Sequence, residues 1–93
     1  MSITHITEFE AAENQEDDLY AFLQSLIPYI LSSQGCLSCE ILKSTDDASR
    51  FVAIDKWDCV ESHRNSVDGF PKDEMQAAMS LFGGPPKSGY YEA

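Results

Sequence analysis

Few side chains in this 93-residue sequence are suited to making or breaking bonds. His5 and His63 are its two histidines, and histidine is the side chain whose ordinary pKa lies nearest neutrality. Either could take a proton from a weakly acidic substrate as a general base. Arg64, next to His63, could stabilise negative charge that develops during such a step. Trp57 offers a flat wall for an aromatic ligand, or equally a large residue for a core or an interface. There is no third histidine, and no histidine–carboxylate spacing resembles a zinc site, so no metal ligands are predicted. Gly83-Gly84-Pro85-Pro86 lacks the Lys-Ser/Thr partner of a phosphate cradle and reads as a loop. A nucleophile elbow is also missing.

The three cysteines carry a different signal. Cys36 and Cys39 match a CxxC spacing, which in redox proteins opens a helix, where the dipole lowers a thiol pKa. Here the pair opens a strand-like run. In a regular strand residues i and i+3 point to opposite faces, roughly 10 Å apart along the chain. Without a bulge they form neither a disulfide nor a chelate. Buried free thiols are expected, and Cys59, flanked by Asp58 and Glu61, is not an activated nucleophile.

Charge narrows the partners. Sixteen Asp and Glu against six Lys and Arg give a net charge of −10, which repels nucleic-acid phosphates and anionic membrane surfaces. A neutral or weakly polar small molecule suits such a protein better. The N-terminal residues Met1-Ser2-Ile3-Thr4-His5 show no basic region followed by an apolar run, and a cytoplasmic location is expected.

The elements that must position these residues follow from periodicity, and they make one domain over residues 1–93. Ile3 to Phe9 alternates as a strand, with Ile3, His5, Thr7 and Phe9 on one face. Asn14 is a suitable N-cap for a helix that begins with Glu16, Asp17 and Asp18 at its positive end. Leu19, Phe22, Leu23, Leu26, Ile27 and Ile30 form its apolar stripe, and Gly35 ends it. Cys36–Ser44 and Arg50–Trp57 read as a hairpin with a loop of about four or five residues. Asp58 can cap a short helix through about Ser66. Pro71 starts a third helix, in which Met75, Ala78, Met79 and Phe82 share a face. Ser88 to Glu92 reads as a last strand. The order β-α-β-β-α-α-β predicts an α+β, ferredoxin-like sandwich with a four-stranded antiparallel sheet.

Two of these strands are apolar on both faces. Phe51, Ala53 and Trp57 oppose Val52 and Ile54, while Leu37, Cys39 and Ile41 oppose Cys36 and Leu42. Helices can cover only one face of a two-layer sandwich, so the other requires a cover, and a second copy of the sheet predicts a homodimer.

Read in order, Gly35-Cys36-Leu37-Ser38-Cys39-Glu40, Asp46-Asp47-Ala48-Ser49-Arg50-Phe51-Val52, Asp55-Lys56-Trp57-Asp58 and Ser62-His63-Arg64 resemble the antibiotic-biosynthesis monooxygenase domain family. Phe70, the Met75–Phe82 helix, Gly84-Pro85-Pro86 and Tyr91-Glu92 resemble its usual ending. The resemblance implies a dimeric α/β barrel of two facing sheets, with a pocket between sheet and helices in each subunit. It also implies oxidation of a small phenolic compound by molecular oxygen, without metal or flavin. His63 or His5 would then be the base, Arg64 the charge stabiliser, and Trp57, Phe51 and Phe70 the walls around the ring. His5 stands where haem-degrading members carry Asn, and no second Trp exists, so haem is not the implied substrate. Ala53 replaces an Asn associated with quinone-forming members, and His63 follows Trp57 by six residues where nine is usual. A dimeric small-molecule binding protein without catalysis is the alternative, and a non-oxidative isomerase or lyase a weaker one.

Overall fold

Alternation and amphipathicity are realised in the computed structural model, which describes residues 2–93. The elements are β1 (Ile3–Glu10), α1 (Glu16–Ser32), β2 (Cys36–Lys43), β3 (Arg50–Trp57), α2 (Val60–Gly69), α3 (Lys72–Ala78), a 3-10 turn (Met79–Leu81) and β4 (Lys87–Tyr91). The sheet order is β2-β3-β1-β4, and every neighbouring pair is antiparallel. The ferredoxin-like α+β expectation therefore holds. Among the described residues no helix is long and apolar enough to cross a membrane.

Residues paired across strands share a face, so the register assigns each side chain. His5 pairs with Asp55, Thr7 with Ala53 and Phe9 with Phe51 across β1 and β3. Cys39 and Ile41 of β2 pair with Asp55 and Ala53, and Tyr90 of β4 pairs with His5. This face lies under the helices: Phe51, Ala53, Asp55 and Trp57 are all buried. On α1, Leu19 and Leu23 are fully buried, and Phe22, Leu26 and Ile27 pack against the same core, as the stripe predicts. The opposite face of the sheet carries Ile6, Val52, Ile54, Leu42 and Tyr91, and among the described residues no helix covers it.

The structure corrects several local expectations. Asn14 is not the helix cap; it sits at φ 66° in the preceding turn, a left-handed conformation that Asn tolerates, and Gln15 is the cap residue. Gly35 does adopt φ 88°, but beyond the end of α1, where Ser33 is the C-cap. There its missing side chain lets β2 start against Asp58 and Ser62, whose side-chain atoms a Cβ would strike. The cap of α2 is Cys59 rather than Asp58, and the helix runs on to Gly69. Pro71 is the cap of α3 rather than its first residue. The shared face of Met75, Ala78, Met79 and Phe82 does not form, because the helix tightens into a 3-10 turn after Ala78. Met79 is consequently 61% exposed, and Phe82 instead stacks on Phe9 with ring centroids 6.0 Å apart. Gly83 holds this turn against β1: its N–H donates to the Glu10 carbonyl at 2.7 Å, with no room for a Cβ beside Ala11.

Candidate functional site

Between the covered sheet face, α1, α2 and the α2–α3 segment lies a mainly apolar cavity of about 370 Å³. Leu26 and Ile30 of α1, Phe9, Ile41 and Ala53 of the sheet, and Phe70 and Met75 beyond α2 supply its apolar lining. Phe70 meets Tyr29 edge-on at 5.2 Å, which fixes that wall. Its polar lining includes Thr7, Ser66, Asp68 and Lys72 as well as one close cluster. His5 from β1, Asp55 and Trp57 from β3, and His63 from α2 all line the cavity.

Their geometry is close. The His5 and His63 rings lie 3.9 Å apart between centroids, tilted by 33°. His5 Nδ1 stands 3.6 Å from Asp55 Oδ2 and 3.4 Å from Thr7 Oγ1. The Trp57 indole N–H donates to the same Asp55 oxygen, and the indole ring meets His63 edge-on at 5.3 Å. His63 Nδ1 shares a 2.7 Å hydrogen bond with the Tyr90 hydroxyl. Asp55 is only 4% exposed, and among the described residues no Lys or Arg pairs with it. A buried carboxylate needs such donors, because leaving it unpaired costs several kcal/mol. Burial, and next the neighbouring His5, hold His63 below the usual imidazole range, partly offset by the Asp55 charge. At neutral pH His63 is therefore uncharged and carries a lone pair.

Of the residues singled out in the sequence, His5, His63, Trp57 and Phe70 meet around this one cavity. Phe51 does not line it; it is 3% exposed and stacks on Tyr20 at 5.6 Å in the core. Arg64 lies on the exposed side of α2, outside the lining. Asp55 and Tyr90 escaped sequence reasoning. Asp55 left a legible trace, a carboxylate at an inward position between Ala53 and Trp57. Tyr90 left none, since its place depends on β4 pairing with β1.

The cysteines depart from expectation in burial and in facing: Cys36 and Cys39 are only half-buried, and Cys59 is exposed. The β2 register shifts between Cys36 and Ser38, making Leu37 an extra residue, and Cys36 joins Cys39 on the helix-facing side. Both are free thiols. Burial, then the Asp55 charge, push Cys39 up to about 12, so it stays protonated and unreactive at neutral pH.

Comparison with known proteins bears on this arrangement. Among solved structures, a conserved protein from Methanosarcina mazei superposes with TM-score 0.87 at 12% identity, over 99% of this chain and 92% of that one. NE2512 of Nitrosomonas europaea, a protein of unknown function, gives 0.85 at 22%, over 99% and 88%. A mutant of SnoaB, a cofactor-independent oxygenase from Streptomyces nogalater, gives 0.82 at 16%, over 99% and 92%. These likenesses carry the fold. No curated protein sequence matches significantly. The sequence model for antibiotic biosynthesis monooxygenases matches residues 2–80, most of the chain, and the protein belongs to that family.

Proposed function

We propose that this protein is a cofactor-independent monooxygenase that oxidises a small, electron-rich phenolic compound with molecular oxygen. The observation that carries the reading is the convergence of His5, His63 and Asp55 at a mainly apolar cavity large enough for a small aromatic ring. For His63 to act as base at Nε2, its Nδ1 carries the hydrogen and donates to the Tyr90 oxygen. Nε2 then takes a proton from an activated C–H or O–H of the substrate. The resulting anion gives one electron to oxygen, the radical pair combines to a peroxide, and His63 returns the proton as water leaves. A CH₂ group and O₂ thus become a C=O group and water. Apolar walls favour the reaction by keeping bulk water from the anion and from the peroxide. Trp57 positions the ring, and Asp55 orients His5. Arg64 acts on this site only through its field, from the exposed side of the helix.

The working unit in this reading is a homodimer, formed by the uncovered sheet face, in a cytoplasmic setting. Oxygen uptake with hydroquinones and anthrones tests the chemistry. Wild-type protein consumes oxygen, and His63→Ala loses about 10²- to 10⁴-fold in rate, the usual contribution of a general base. No protein-dependent uptake across that panel sinks the reading for those substrates. A second reading, a binding protein without turnover, draws on Ala53, which leaves the cavity wall without a side-chain amide. It requires a stoichiometric small ligand in native mass spectra and no turnover in air.

A further inference from the structure

The polar end of the cavity has a second capability that spacing along the chain did not disclose. We infer that His5, Asp55 and His63 form a binding site for a divalent transition-metal ion of the zinc or cobalt class. One donor atom from each of the three lies within 4.8 Å of the others. Ligands around a tetrahedral ion, each roughly 2.0–2.2 Å from the metal, sit about 3.4 Å apart, so rotations of about an ångström at the side-chain tips close the site. Two imidazoles and a carboxylate are the donors that borderline ions prefer, and three protein ligands leave a coordination position open. All three donors line the cavity.

The surroundings resemble the outer shell of a metal centre. Tyr90 engages His63 at Nδ1 and leaves Nε2 for an ion. The Trp57 N–H holds one Asp55 oxygen. Asp55 and His5 are buried, and Asp55 has no Lys or Arg to balance it among the described residues, so a bound cation would supply the missing charge. The three ligands come from β1, β3 and α2, which explains why no short histidine–carboxylate motif announces them. Metal binding requires no oxygenase activity. It excludes the proton-taking role of His63 while the ion is bound, and the two readings therefore fail separately.

Chelator-treated protein titrated with Co²⁺, followed by visible absorption, tests the proposal, with Zn²⁺ added as competitor. One equivalent should produce d–d bands that Zn²⁺ abolishes. His5→Gln, His63→Gln and Asp55→Asn should each weaken binding at least tenfold, and Tyr90→Phe about tenfold, as loss of an outer-shell partner typically does. Circular dichroism verifies the fold of each variant; should the buried His5 substitution unfold the chain, half-buried His63 on α2 provides the decisive variant. Lack of saturable binding up to millimolar Co²⁺ overturns the site. So does affinity unchanged by His63→Gln, or a near-ultraviolet thiolate band that follows the cysteines instead.

Discussion

The two faces of the sheet are built from alternate residues of the same strands, yet they differ in kind. On the helix-covered face, Phe51, Ala53, Asp55 and Trp57 of β3 are all buried, and the strand reads apolar except for one carboxylate. On the uncovered face, Val52 and Ile54 are half-buried and Leu42 is 46% exposed, with Glu8, Glu40 and Lys56 around them. The covered face gathers its polar groups at one end of a mainly apolar cavity, where hydrogen bonds and burial tune them. The open face scatters its charges among apolar side chains. The proposed chemistry and the proposed association would thus be separated by the two-residue period of a strand.

The comparison breaks most visibly in the core. Trp57→Ala should cost about 3–5 kcal/mol in urea or thermal unfolding, the usual penalty for emptying a fully buried aromatic site. Leu42→Ala on the open face should cost well under half as much at concentrations where the chain is monomeric. Comparable losses would mean that the open face is a core in its own right.

Association comes next. Ile54→Glu places a charge at the centre of the open face and should convert a dimer to monomer in sedimentation velocity, while ligand-binding groups on the covered face stay in place. An unchanged sedimentation coefficient would remove that face as the interface.

Acidification gives a smaller effect confined to the site. Because folding lowers the His63 pKa, the unfolded chain binds the proton more tightly. Stability should fall as pH drops from about 6.5, the unfolded value, and level off below the folded one. In His63→Gln that part of the melting-temperature decline should disappear. If the slope is the same in both proteins, His63 is not the group responsible.

The mildest test uses the thiols. Exposed Cys59 should react with a thiol reagent within the mixing period of native protein, and Cys39 only slowly, because burial and the Asp55 charge keep it protonated. Equal rates would show that the covered face opens readily.

Much of this was legible beforehand. The alternation of β1 and β3 and the stripe of α1 depend only on side-chain period, and Leu19, Leu23, Phe51 and Trp57 are buried as their spacing requires. The errors lie where one local feature shifts the phase. The extra residue at Leu37 turns Cys36 to the other face. The 3-10 turn after Ala78 exposes Met79. Asn14 takes a left-handed turn instead of capping. Each is a one-residue choice set by long-range packing, which propensity cannot weigh.

The sequence by itself determined the class of fold, the order of its elements and the strongly acidic balance of the chain, because pattern and net charge are properties of neighbouring residues and of sums. It also marked His5, His63 and Trp57 by type. Only the tertiary structure decided that these three converge, that Asp55 and Tyr90 join them, and that Phe51 and Arg64 stand apart. The reason is geometric. The site draws on β1, β3, α2 and β4, and residues as distant in sequence as His5 and Tyr90 become neighbours only through strand register, which no local spacing encodes.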